Sequence, residues 1–271
     1  MRVVLTKLAL FPLALALLAG CSPEPAPAPA PTTTAPAAPS GPVLGPGEVA
    51  FSSGSEQVVA YLARPKGQGP FPALVVIHEW WGLNPQIRGM ADQLSRQGYL
   101  SLAVDLYRGK QTDNPEQAHE LMRGLPEDRA LRDLAAAFAY LKTSPDVKPD
   151  RIGSIGWCMG GGYSIKLAVA EPTLAACAVY YGALPTERES LAAITAPVLG
   201  FFGDKDEGIP EASVLAFDTA MRELGRPVEV HVYRNAGHAF ANREGKNFHT
   251  LAAEDAWGKL KAFFGKHLKG E

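Results

Sequence analysis

From about residue 58 the chain alternates between short apolar runs and longer stretches where apolar residues return every three or four positions. Residues 73–77 are apolar throughout, as expected of a strand buried on both faces. Similar runs at 58–63, 99–104, 151–157, 176–181, 198–202 and 228–233 predict further strands. Between them lie helical periodicities. Over 85–96, Ile87, Met90, Ala91 and Leu94 share one face, and over 126–141 Leu131, Leu134, Ala135 and Phe138 do the same. Residues 161–170, 212–224 and 250–264 predict three more helices. Strands alternating with helices imply an α/β fold, a mostly parallel sheet with helices on both faces. Right-handed crossovers then leave few topologies, and reactive groups are expected at the carboxyl ends of the strands. There is no internal repeat, so 47–271 reads as one domain.

Before residue 47 the pattern is different. Arg2 and Lys7 precede an apolar run at 8–18, broken only by Pro12 and too short to span a bilayer. Leu18-Ala19-Gly20-Cys21 resembles a bacterial lipobox, which predicts a signal peptide over 1–20 and acylation of Cys21 after cleavage. Ser22 next to it resembles the outer-membrane sorting pattern of Gram-negative lipoproteins. Residues 21–46 are mostly Pro, Ala, Thr, Ser and Gly. Such a segment buries too little apolar surface to offset its ordering entropy, so it predicts a disordered tether reaching some tens of ångströms at about 3 Å per residue. The expected location is extracytoplasmic, facing the periplasm or the cell surface, with membrane contact only through the lipid on Cys21.

Charge narrows the partners. With 26 basic and 28 acidic residues the formal net charge is −2, so nothing draws the chain to nucleic acid or an anionic bilayer. Of three cysteines, Cys21 is assigned to lipid. Cys158 and Cys177 then form neither a disulfide scaffold nor a zinc spacing. Cys177 lies within the run 176–181 and reads as a small core residue. A monomer is expected, without metal or cofactor.

Cys158 sits elsewhere. Gly156-Trp157-Cys158-Met159-Gly160 follows a strand and precedes a helix of small residues. This is the G-x-S-x-G nucleophile elbow with sulfur in place of oxygen, the mark of an α/β-hydrolase fold. Glycines two residues either side of the nucleophile relieve backbone crowding at a strained turn. A nucleophile needs a base, and the base an orienting acid, in that fold in the order nucleophile, acid, histidine. His238, in Gly237-His238-Ala239-Phe240, follows the last strand, while Asp204 and Asp206 both open the turn after residue 202. Either acid suits the pattern. His119, His231, His249 and His267 read as structural or solvated. His78-Glu79-Trp80-Trp81-Gly82 follows the strand 73–77, and glycine at 82 excludes an H-E-x-x-H zinc site. The oxyanion hole of this fold draws one main-chain amide from this segment and one from the residue after the nucleophile, which nominates Trp80 and Met159.

Together, His78-Glu79-Trp80-Trp81-Gly82-Leu83-Asn84, Asp105-Leu106-Tyr107, the Cys158 elbow, Asp206 with Pro210, and Gly237-His238-Ala239-Phe240 resemble the dienelactone hydrolase family. The resemblance covers essentially all of 47–271. It implies hydrolysis of a small ester or lactone, as the family opens the cyclic ester of dienelactone without metal or organic cofactor. It also implies that Asp206 is the acid and that Glu79 interacts with the resting thiol; a surface charge or an arginine partner is the plainer role for Glu79. Trp80, Trp81, Tyr107 and Phe240 are expected to line an aromatic pocket. In the family's best-known members two arginines bind the substrate carboxylate. Arg108 stands near the first position, but Asn242 occupies the second, with Arg243 beside it. Two alternative readings are a non-catalytic surface lipoprotein that binds a ligand and a broad-specificity carboxylesterase.

Overall fold

The computed structural model describes residues 42–271. The predicted signal peptide, Cys21 and all of the predicted tether but 42–46 lie outside the described residues; 42–46 are exposed and belong to no helix or strand. Eight strands form one sheet: β1 (Glu48–Ser53), β2 (Glu56–Ala63), β3 (Phe71–Ile77), β4 (Leu100–Val104), β5 (Val147–Trp157), β6 (Ala176–Tyr180), β7 (Val198–Gly203) and β8 (Val228–Tyr233). Their order is β1-β2-β4-β3-β5-β6-β7-β8. The β1–β2 and β2–β4 pairs are antiparallel and the remaining pairs parallel. This is the expected α/β-hydrolase fold.

The helices are α1 (Pro85–Arg96), α2 (Pro115–Arg123), α3 (Glu127–Thr143), α4 (Met159–Ala170), α5 (Arg188–Ala193), α6 (Glu211–Glu223) and α7 (Thr250–Phe264), the last running into a π-helical turn over Gly265–Lys269. Alternation along β3 divides the core. Ala73, Val75 and Ile77 face α3, α4 and α6 through Leu134, Phe138, Ile165 and Phe217. Leu74 and Val76 face α1 and α7 through Ile87, Leu94, Leu260 and Phe264. Each such fully buried aliphatic side chain contributes about 1.5–3 kcal/mol.

Three elements were not evident from the pattern. β1 is a short antiparallel edge strand, and α5 spans six residues. In α2 only Ala118 is fully buried and the apolar stripe is short, Ala118 with Leu121 and Met122; its start is set by Asn114, whose side chain accepts from the Glu116 and Gln117 N–H groups, and by Pro115 at the first helical position.

Candidate active site

The elbow is built as its glycines require. Cys158 has φ 55° and ψ −120°, a strained conformation for a residue with a side chain. Its N–H donates to the Tyr180 carbonyl at 3.0 Å, and its own carbonyl accepts from Gly161 and Gly162. A Cβ on Gly156 would lie 2.0 Å from the Gly160 oxygen, and one on Gly160 would lie 2.4 Å from the Ile77 oxygen. The close approach of β5, β3 and α4 therefore depends on both glycines. Met159 is the first residue of α4, so its N–H has no intrahelical acceptor.

His238 enters from the loop after β8, held by the Asn247 amide on its carbonyl at 2.9 Å. Its Nδ1 is 2.7 Å from Asp206 Oδ2, leaving Nε2 to face the sulfur. The other Asp206 oxygen accepts from the Gly208 and Ile209 N–H groups at 2.9 and 3.0 Å, which fixes the carboxylate in its turn. Asp204 turns instead toward Lys205 and Arg234, at 3.8 and 3.5 Å. Of the two acids left open by propensity, geometry brings Asp206 to the histidine. Burial works against a charge on His238, but hydrogen bonds to Asp206 and Cys158 outweigh it and push the imidazole up to about 10.

Glu79 is neither a surface charge nor an arginine partner. It is 2% exposed, with Oε2 accepting from the Asn242 amide at 2.9 Å and Oε1 from the Tyr181 hydroxyl at 3.4 Å. Its hydrogen bonds thus go to Asn242 and Tyr181, not to the thiol that the resemblance implied. Burial raises its carboxyl to about 6, against the Asn242 hydrogen bond, the His238 charge and the Tyr181 hydroxyl. Its neighbour His78 is fully buried, and its Nε2 accepts the Leu106 N–H at 3.3 Å. The proton therefore sits on Nδ1, 2.5 Å from the Glu79 carbonyl. Asp105 secures this turn by accepting from the Tyr107 and Gly109 N–H groups.

A cavity of about 960 Å³ opens over Cys158 and His238. Trp80 and Trp81, edge to face with centroids 4.7 Å apart, form one wall with Pro115, His119 and Met122 of α2. His119, read from sequence as structural or solvated, stands edge-on to Trp80 at 4.7 Å and lines this wall. Sequence signals for it were weak, since its helix went unread. Tyr181, also missed, follows β6 directly with φ 40°; the carboxyl-end rule alone pointed to it.

Three expected pocket residues are corrected. Arg108 is held between Glu56 at 2.9 Å and the fully buried Asp133 at 2.7 Å, away from the cavity. Phe240 is fully buried among Tyr181 and Tyr233, inside the core. Tyr107 packs behind the wall, its ring against His78 and its hydroxyl 3.2 Å from Met159 Sδ. Trp81 does line the cavity. Among the described residues no cluster of three or more His, Cys, Asp or Glu side chains could hold a metal ion.

A mostly parallel sheet of this order, with a residue of positive φ between β5 and α4 and an Asp–His pair at the carboxyl ends of β7 and β8, defines the α/β-hydrolase class. Within that class, the dienelactone hydrolase family profile matches residues 58–268. A Bradyrhizobium protein named "Probable 2-oxo-3-(5-oxofuran-2-ylidene)propanoate lactonase" is 31% identical over 236 residues, 82% of this chain and 95% of that protein. "Protein usf" of Aquifex pyrophilus is 32% identical over 228 residues, 81% of this chain and 98% of that one. The crystal structure titled "Putative Dienelactone Hydrolase from Klebsiella pneumoniae subsp. pneumoniae MGH 78578" superposes with a TM-score of 0.75 at 31% identity, covering 81% of this chain and 98% of its own. The chain belongs to the dienelactone hydrolase family.

Proposed function

We propose that this protein cleaves a small carboxylic ester or lactone through a thioester on Cys158. The observation that carries the reading is the Asp206–His238 pair at 2.7 Å, with His238 and the elbow cysteine lining the same cavity. An imidazolium beside the sulfur is the partner that a thiolate nucleophile needs. Cys158 Sγ attacks the substrate carbonyl carbon, and the Trp80 and Met159 amides take the developing oxyanion. His238 Nε2 then gives its proton to the departing alkoxide oxygen, which in a lactone stays tethered to the acyl group. Water enters, His238 takes one of its protons, and hydroxide displaces the sulfur to release the acid. Asp206 holds the ring orientation throughout. The relatives support the chemistry, since the Bradyrhizobium protein is named a lactonase.

The same proposal keeps the domain outside the cytoplasm, tethered by a lipid on Cys21. The lipobox supports it, and among the described residues no helix is long and apolar enough to cross a membrane.

The test is hydrolysis of small aryl esters by wild type and Cys158→Ala. Loss of kcat by about 10³-fold or more is expected, with an acyl mass on Cys158 in wild type under rapid quench. Turnover at the wild-type rate by Cys158→Ala removes the mechanism.

A further inference from the structure

The walls of the Cys158 cavity differ sharply in what they offer a substrate. Toward α2 they are Trp80, Trp81, Pro115, His119 and Met122, a surface of rings and a thioether. Such a surface recovers free energy from apolar or aromatic groups and none from a solvated carboxylate. The polar part of the lining decides the matter of charge. Glu79 is 2% exposed and fixed by Asn242 and Tyr181, so the buried part of the lining presents an acidic group and a neutral amide.

The cations near the site do not offset this, since the charge on His238 is already paired with Asp206 at 2.7 Å. Among the described residues no arginine lines the cavity. Arg108 is spent on Glu56 and Asp133, and Arg243 lies over the Phe248 ring at 5.8 Å. The lining includes Lys205 and Lys246, both on exposed loops. The Lys205 ammonium is 65% exposed and 3.8 Å from Asp204, and Glu207 shares its stretch of the rim. These are solvated charges at the mouth, not a fork that grips a carboxylate at depth. An anionic substrate would lose its hydration and meet Glu79 without a bidentate partner.

We infer that the site selects esters or lactones whose remaining groups are uncharged and apolar or aromatic, and discriminates against those that carry a free carboxylate. This inference rests on Cys158 as the nucleophile. Discrimination follows from what the buried part of the lining lacks as much as from what the aromatic wall supplies.

The experiment compares two substrates with one leaving group and equal acyl length, 4-nitrophenyl hexanoate and the mono-4-nitrophenyl ester of adipic acid, at pH 7.5. Full-length wild type is expected to show kcat/KM at least about tenfold higher for the hexanoate after subtraction of the Cys158→Ala background. Asn242→Arg sets a guanidinium against Glu79 and is expected to narrow that ratio at least about fivefold. Glu79→Gln, which removes the buried charge and keeps both hydrogen-bond partners, repeats the test should the Asn242 variant fail to fold. Cys158-dependent turnover of the adipate ester as fast as the hexanoate overturns the selectivity and leaves the hydrolase reading intact. So does an unchanged ratio in a folded variant. Turnover of neither ester above the Cys158→Ala background overturns both.

Discussion

Cys158 and Cys177 stand nineteen positions apart and carry the same thiol, yet the fold gives them opposite surroundings. Cys158 caps α4 at a left-handed bend, half-buried and open to the cavity, with His238 beside it. Cys177 lies within β6, paired in register with Ser154 of β5, fully buried, with Ser164 Oγ 3.5 Å from its sulfur. Burial pushes the Cys177 thiol up to about 11, against hydrogen bonds from Ser164 and Ser154. What separates the proposed nucleophile from the core sulfur here is backbone conformation and access. Along the chain, the two glycines flanking Cys158 are what mark that difference.

The largest effect expected from that contrast is in alkylation. At pH 8 a group that titrates near 11 is ionised to roughly one part in a thousand, and burial slows reagent access further. Iodoacetamide on the folded protein, followed by peptide mass mapping, is expected to label the Cys158 peptide at least about 10³ times faster than the Cys177 peptide. Comparable rates would erase the distinction between the two sites.

Next in size is the backbone's tolerance. A methyl on Gly160 meets main-chain oxygens of Ile77 and His78 at 2.4 and 2.5 Å, atoms that cannot move without shifting β3. Gly160→Ala is expected to cost about 3 kcal/mol or more in urea unfolding. Cys177→Ala removes one sulfur from a packed core, and about 1 kcal/mol is expected. A Gly160→Ala protein with unfolding like Cys177→Ala would mean that the elbow is looser than its contacts imply.

This difference in backbone demand also accounts for what the sequence reveals and what it hides. The elbow was legible because no residue but glycine fits at 156 and 160, so the motif is forced by geometry. The sheet was legible from runs such as 73–77, which become fully buried strands. Asp206 could not be told from Asp204 by propensity, because both sit in one acidic turn. Only the folding of the Gly208 and Ile209 amides onto one oxygen of Asp206 aims the other at His238. His119 stayed hidden because α2 is only nine residues long, with a stripe of just Ala118, Leu121 and Met122 beside the start signal of Asn114 and Pro115. Arg108 and Phe240 were misplaced for a related reason. Nearness to a strand end along the chain does not say which way a side chain turns, and Arg108, at φ 55°, turns to Asp133.

The smallest effect concerns charge, and it separates the two regions in their response to pH. Around Cys177 the buried polar neighbours are neutral hydroxyls, whereas beside Cys158 the fold buries Glu79. Burial raises the Glu79 carboxyl from 4.5 to about 6, so the native state holds its proton more tightly than the unfolded chain does. A group of that kind contributes stability fully present below about 4.5 and lost as pH rises through about 6. Converted at 1.36 kcal/mol per pH unit, the gap is about 2 kcal/mol against the wild-type fold above pH 7. Gln at 79 keeps both partners, its carbonyl accepting from the Asn242 amide and its own amide donating to the Tyr181 oxygen. Unfolding free energies measured in urea at steps from pH 4.5 to 7.5 are therefore expected to show Glu79→Gln gaining on wild type by about 2 kcal/mol across that window. Cys177→Ala, with no buried charge beside it, should keep a constant difference from wild type over the same steps. A flat Glu79→Gln difference would mean that the carboxylate is solvated in the native state, and the electrostatic contrast between the two cysteines would then reduce to one of access alone.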